Sequence, residues 1–145
     1  MGWTGTDPTR WAGRTEALMT ALLRASVQEL AKEAGNTVEN TGRVPVKSGN
    51  LARSVIVSNT PPVVDAPGVV YETPRDNAGG IQSIEPGKPV FIGWTPKYSR
   101  RANYGFVGTD SLGRTYNQSG YGFAESTAAK WEGIVKVQAT KIANR

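Results

Sequence analysis

YSRRANYGFVGTDSLGRTYNQSGYGFAESTAAKW, residues Tyr98 to Trp131, is the stretch on which the reading of this chain turns. It interleaves Tyr98, Tyr104, Phe106, Tyr116 and Tyr121 with Arg100, Arg101 and Arg114, and with Gly105, Gly108, Gly113, Gly120 and Gly122. Tyrosine and arginine are enriched at the centres of protein interfaces, so a glycine-rich segment of this kind reads as a loop-rich contact surface. It contains no residue pattern suited to bond cleavage, and assembly is the expectation in place of turnover.

C-terminal to this stretch and at its end, Ala124, Ala128, Trp131, Val135 and Ile142 recur at helical spacing, with Ile134 and Val137 widening the stripe. This predicts a core helix from Gly122 to Ala143, with Trp131 as a packing anchor. On the other side, Pro89 to Trp94 reads as a strand with Val90, Ile92 and Trp94 on one face and Phe91 and Gly93 on the other. Val55 to Val57, Gly68 to Glu72 and Asn103 to Gly108 are further strand candidates, arranged most economically as an antiparallel sheet. Pro45 forbids a helix through Val44 to Ser54, where Ser48 or Asn50 can cap one short turn.

At the start, Asp7-Pro8 is a helix opening, because Asp caps free amides and Pro fits a position that needs no donor. Leu18, Leu22 and Ala25, with Met19, Leu23, Val27, Leu30, Ala31 and Ala34 one row over, carry an apolar stripe to Gly35, expected as a left-handed stop. Arg24, Lys32 and Glu33 are expected to point to water. The fold class is therefore α+β: a long N-terminal helix and a C-terminal helix packed on a small antiparallel β-sheet with long loops. One domain spans 1–145, with 1–7 as a flexible arm.

Residues 73–88 are rich in Gly, Pro and polar side chains and read as an extended loop too polar to build a core of its own. Arg75, Gly79, Gly80 and Lys88 belong either to an element that reaches a neighbour or lines a DNA channel, or to a loose tip; the residues leave both readings open. Gly87-Lys88 is not a phosphate-binding loop, because the glycine spacing fails and Pro89 stands where Ser or Thr is required.

The chain has 145 residues, the usual size of one domain, which buries roughly 70% of the unfolded surface. It has neither cysteine nor histidine, which excludes disulfides, thiolate or imidazole metal ligands and histidine-based nucleophile systems. No cofactor and no metal are expected. Neither a leader nor a membrane-spanning run is legible, so a soluble chain in a reducing cytoplasm is expected, with no membrane partner. Gly2 with Thr6 fits a myristoylation pattern, and Asn117-Gln118-Ser119 a glycosylation sequon, but both recur by chance. Residues 1 to 72 carry seven basic and seven acidic side chains, and residues 73 to 145 ten and five, so the net +5 resides in the second half. Lys97, Arg100 and Arg101 cluster beside aromatics, whereas Lys130, Lys136, Lys141 and Arg145 read as the solvated face of the last helix.

The order of a long helix, VPVKSGNLARSV, the strand and glycine-rich stretch, then an alanine-rich helix resembles the neck or tail-completion family of long-tailed, lambda-like bacteriophages. The likeness spans roughly residues 10 to 143. It is carried by a Pro-Val-x-x-Gly-x-Leu-x-x-Ser pattern, met by Pro45, Val46, Gly49, Leu51 and Ser54. A second motif is Asn103-Tyr104-Gly105, where the family more often has Glu-Tyr-Gly. The resemblance implies a structural virion protein of the head–tail junction. It would assemble in the host cytoplasm as a ring, most often a hexamer, between head-closure or connector proteins and the tail terminator, with double-stranded DNA passing through without sequence specificity.

A closed ring joins two different patches on successive subunits, and Tyr98 to Tyr121 and the 73–88 loop are the candidates. Arg100 and Arg101 either face DNA in the lumen or pair with a neighbour's carboxylates, and pairing is the preferred reading. Two rival classes are a free-standing basic nucleic-acid-binding protein and a cell-wall hydrolase using Asp110 and Glu125. Asp110 reads better as a turn residue and Glu125 as a first-turn helix acid.

Overall fold

Apolar side chains at three- and four-residue steps place one continuous helix, α1, over Pro8–Ala34. The structure, a computed structural model, describes the backbone of residues 8–40, 42–46, 49–109 and 111–144, and their side chains apart from those of 8–12 and 116. The expected N-terminal arm, Asp7, Ser48 and Asp110 lie outside the described residues. Helix α1 ends where Gly35 donates to the Ala31 and Lys32 carbonyls and Asn36 to that of Glu33, a tightening of the last turn. Gly35 itself stays outside the left-handed region, so the expected stop is reached by tightening alone.

A 3-10 turn (Val38–Asn40) and a short helix α2 (Asn50–Arg53) precede strand β1 (Ile56–Ser58). Helix α3 (Ala78–Gln82), strand β2 (Phe91–Gly93) and helix α4 (Ser99–Tyr104) follow. Strands β3 (Gly105–Thr109) and β4 (Thr115–Ser119) then lead into helices α5 (Phe123–Ala129) and α6 (Trp131–Ala143). The fold is α+β, with two separate two-stranded antiparallel sheets. In the first, Val57 stands opposite Ile92; in the second, five residue pairs run from Gly105↔Ser119 to Thr109↔Thr115.

Helix α1 is the hub, packing along α6 and against α5, α3 and β2. One core cluster joins Val27, Val57 and Ile84, with Val90, Ile92 and Trp131 around them, so Trp131 is a packing anchor as its spacing predicts. A second joins Val44, Leu51 and Phe123. Trp94 does not share the Val90 and Ile92 environment, because the strand ends at Gly93. Its indole instead meets Phe123 edge-on at 4.7 Å and donates from Nε1 to the Ala34 carbonyl at 2.9 Å, tying α5 to the end of α1.

Several local expectations are corrected. Gly68 to Glu72 forms no strand, because side chains satisfy its backbone: Asn50 Oδ1 accepts from the Tyr71 N–H at 2.6 Å, and Asn50 Nδ2 donates to the Val69 carbonyl at 3.3 Å. Asn50 is thus the first residue of α2 and an anchor for a loop, with no capping role. The expected C-terminal helix is two helices, because the Lys130 N–H closes on the Thr127 carbonyl and breaks the α-helical ladder. Arg24 does not point to water; it donates to the Gln82 carbonyl at 2.7 Å. Glu33 is ion-paired to Lys130.

The 73–88 segment also differs from an extended loop. Its helix α3 packs on α1 and β1, and Ile84 is among the most buried side chains. Asn77 ties it down by donating to the Val55 carbonyl at 2.9 Å and accepting from the Val57 N–H at 3.0 Å.

Candidate functional site

The glycine-rich stretch folds into a hairpin whose base is clamped to the body. Gly105 has φ +84, and a Cβ there would lie 2.3 Å from the Gln118 carbonyl oxygen, so only glycine lets the chain leave α4 and enter β3. Gly120, just past the end of β4, sits so close that a Cβ would lie 2.2 Å from the Asn103 carbonyl oxygen. Asn103 is buried and links the two ends. Its Oδ1 accepts from the Ala124 N–H at 2.8 Å, its Nδ2 donates to Glu125 Oε1 at 3.1 Å, and its carbonyl accepts from Gly122 at 3.0 Å. The Glu125 carboxylate therefore braces the hairpin.

Beyond its own two strands, the main packing of the hairpin is against α4. Alternation along β3 turns Phe106 inward, where the Arg101 guanidinium lies over its ring at 4.0 Å, a cation–π contact. Val107 and Leu112 turn outward, 77% and 75% exposed. Tyr104, Arg100 and Arg114 are exposed, and Tyr98 and Tyr121 are about half exposed. Tyr116 contributes its backbone to β4, opposite Gly108. The eight aromatic and arginine positions singled out by the sequence thus all belong to α4, the hairpin or its flanks.

Two grooves meet at this base. One, of about 770 Å³, runs between Leu51, Tyr98, Tyr121 and the β4 residues Gln118 and Ser119. The other, of about 520 Å³, runs between Tyr98, Lys97 and the loop Asp65 to Val69. Asn50, Tyr98 and Arg101 line both, and the Asn50 amide reaches the Tyr98 hydroxyl at 3.4 Å. No protein-family model, curated protein or solved structure matches the chain.

The second group of predicted positions does not come together with the first. Arg75 belongs to a half-buried network in which it donates to Asp65 Oδ1 at 3.2 Å and Thr95 Oγ1 at 2.8 Å, with its guanidinium 4.6 Å over the Tyr71 ring. The Tyr71 hydroxyl lies 2.8 Å from both Asp65 oxygens. Arg75 is therefore spent inside the fold. Gly80 packs on β1, where a Cβ would lie 2.1 Å from the Val57 carbonyl oxygen, whereas Gly79 faces open space. Lys88 pairs with Glu85 at 2.7 Å on the surface. The hydrogen bond from Lys88, and then its charge, hold the Glu85 carboxyl below its ordinary pKa and raise that of Lys88.

Sequence reasoning missed the loop of residues 59–72. Val63, Val64, Val69 and Val70 are all exposed on it, although the loop is pinned by Asn50, by the Asp65 network and by the Asp65 N–H donating to the Thr95 carbonyl at 2.9 Å. Four exposed valines between prolines are a signal the sequence carries, but Val69 and Val70 also fit a strand. Among the described residues no cluster of acidic side chains could hold a metal ion, and no helix is long and apolar enough to cross a membrane.

Proposed function

We propose that this chain is a structural subunit of the bacteriophage head–tail junction, a neck or tail-completion protein that works by closing into a ring. The observation that carries the reading is the β3–β4 hairpin, fixed at its base by Asn103 and Gly105 and presenting Tyr104, Val107 and Leu112 to solvent. A two-stranded hairpin is marginal by itself, and burial of Val107 and Leu112 against a partner would stabilise it. The resemblance supplies the context: six copies, head-closure or connector proteins on one side, the tail terminator on the other, and double-stranded DNA in the lumen.

The mechanism is mechanical and electrostatic, and no bond is made or broken. Each subunit buries Val107 and Leu112 of its hairpin against a sister chain, and the ring seals the tail end while leaving a pore. Arg101, stacked on Phe106, serves the interface; Arg100, exposed beside it, is placed for a neighbour's carboxylate or for a phosphate. Deletion of this reading frame from the phage that carries it is expected to leave DNA-filled heads and separate tails, seen by electron microscopy of lysates. Joined, infectious virions from the deletion strain would refute the assignment.

A further inference from the structure

The hairpin, at Val107 and Leu112, and the 59–72 loop, at its valines, hold apolar side chains in water at two different places on one chain. On the loop, Val63 and Val70 are 82% and 70% exposed. A loose loop shows apolar side chains in passing; this one holds them out, because Tyr71, Asp65 and the Val69 carbonyl are each tied to the body. Holding valines in water costs stability unless something covers them.

The charges of the two surfaces are opposite. Residues 54 to 74 contain Asp65 and Glu72 and no cation. Asp65 is neutralised by Arg75, which leaves Glu72 as the outward carboxylate of the loop, exposed and in no ion pair among the described residues. The hairpin and its supporting helix carry Arg100, Arg101 and Arg114 against the single acid Asp110, so the excess positive charge lies on the helix at Arg100 and Arg101. Lys97 and Arg101 form the far wall of the groove beside the loop, which steers an incoming Arg100 to the outer, valine-bearing side. One chain thus holds both halves of a complementary pair, and the partner they fit is another copy of the same chain.

We propose that the hairpin of one copy seats on the 59–72 loop of the next, Val107 and Leu112 against Val63, Val64 and Val70, with Arg100 facing Glu72. This rests on the ring reading and names its joint. The contact is heterologous, so each copy offers a hairpin and a loop, and repetition closes the ring. The 73–88 segment, which folds back on α1 and β1, takes no part.

Sedimentation velocity on the full chain tests the joint. Val107→Asp removes the hairpin side and Val64→Asp the loop side; both positions are exposed, and far-ultraviolet circular dichroism checks that each variant folds. Each variant alone is expected to sediment as a single chain, whereas an equimolar mixture gives a two-chain species and nothing larger, since each supplies the half that the other lacks. Glu72→Arg is expected to weaken self-association about tenfold or more, and adding Arg100→Glu to the same chain to restore it. If the unaltered chain assembles and both aspartate variants assemble like it, or the mixture stays unpaired, the joint is wrong and the ring reading survives. If the unaltered chain remains single at every concentration, both fall together.

Discussion

Asn103→Ala removes a side chain that joins the hairpin base to α5. Gly122, the residue before α5, supplies no capping side chain, so the Ala124 N–H in the first turn depends on Asn103 Oδ1 at 2.8 Å. Losing a helix cap costs about 1 kcal/mol. An unsatisfied buried donor costs about 1–3 kcal/mol. The two describe overlapping physics, and about 2 kcal/mol is the expected loss, with the Glu125 bond a minor addition because that residue is exposed. For a chain of this size that corresponds to a Tm lower by roughly 4–8 °C. Urea unfolding followed by tryptophan fluorescence is a suitable assay, because Trp94 lies edge-on to Phe123 at the start of α5. Asn103→Asp keeps the acceptor for Ala124 but faces Glu125 with a like charge, so it falls between the two. An Asn103→Ala protein within about 0.5 kcal/mol of the original would show that the clamp is not what holds the hairpin.

Two neighbouring glycines are expected to respond in opposite ways. Gly80→Ala drives a Cβ to 2.1 Å from the Val57 carbonyl oxygen and should cost more than about 2 kcal/mol, while Gly79→Ala, with open space, should gain about 0.5–1 kcal/mol of helix stability, both read by thermal melting. Trp94→Phe deletes the donation to the Ala34 carbonyl and leaves a small void, so a loss of about 1–3 kcal/mol with an unchanged denaturant m-value is expected. Lys88→Met should let Glu85 titrate back up toward its ordinary range, measured by carboxyl carbon NMR. Because the folded pKa of Glu85 is depressed, its contribution is present above the unfolded pKa and lost as pH falls through the folded one; Lys88→Met shrinks that step, leaving only the weaker pull of Arg24.

The α+β class, the long first helix and strands near Val57, Ile92 and Phe106 were legible because periodicity reports burial directly. So was the cluster of aromatic and arginine positions around the hairpin. What escaped depends on side chains crossing the chain. Asn50 satisfies the backbone at Val69 and Tyr71, which turns an expected strand into a pinned loop and leaves its valines in water. The polar 73–88 segment reads as unfixed until Asn77 is seen to bond Val55, just before β1, and Val57 within it, and Ile84 to enter the core beside Val27. Arg75 looks like a surface cation until it meets Asp65, ten residues earlier in the chain. None of these partnerships has a spacing that sequence pattern can detect, since each is made by tertiary approach.

The most direct measurement is the native mass of the purified chain, joined with images of the same sample. The expected result is a discrete particle of identical copies, most often six, with a central hole wide enough for a DNA duplex. A solitary chain across the accessible concentration range, or open fibres with no closed ring, would contradict it.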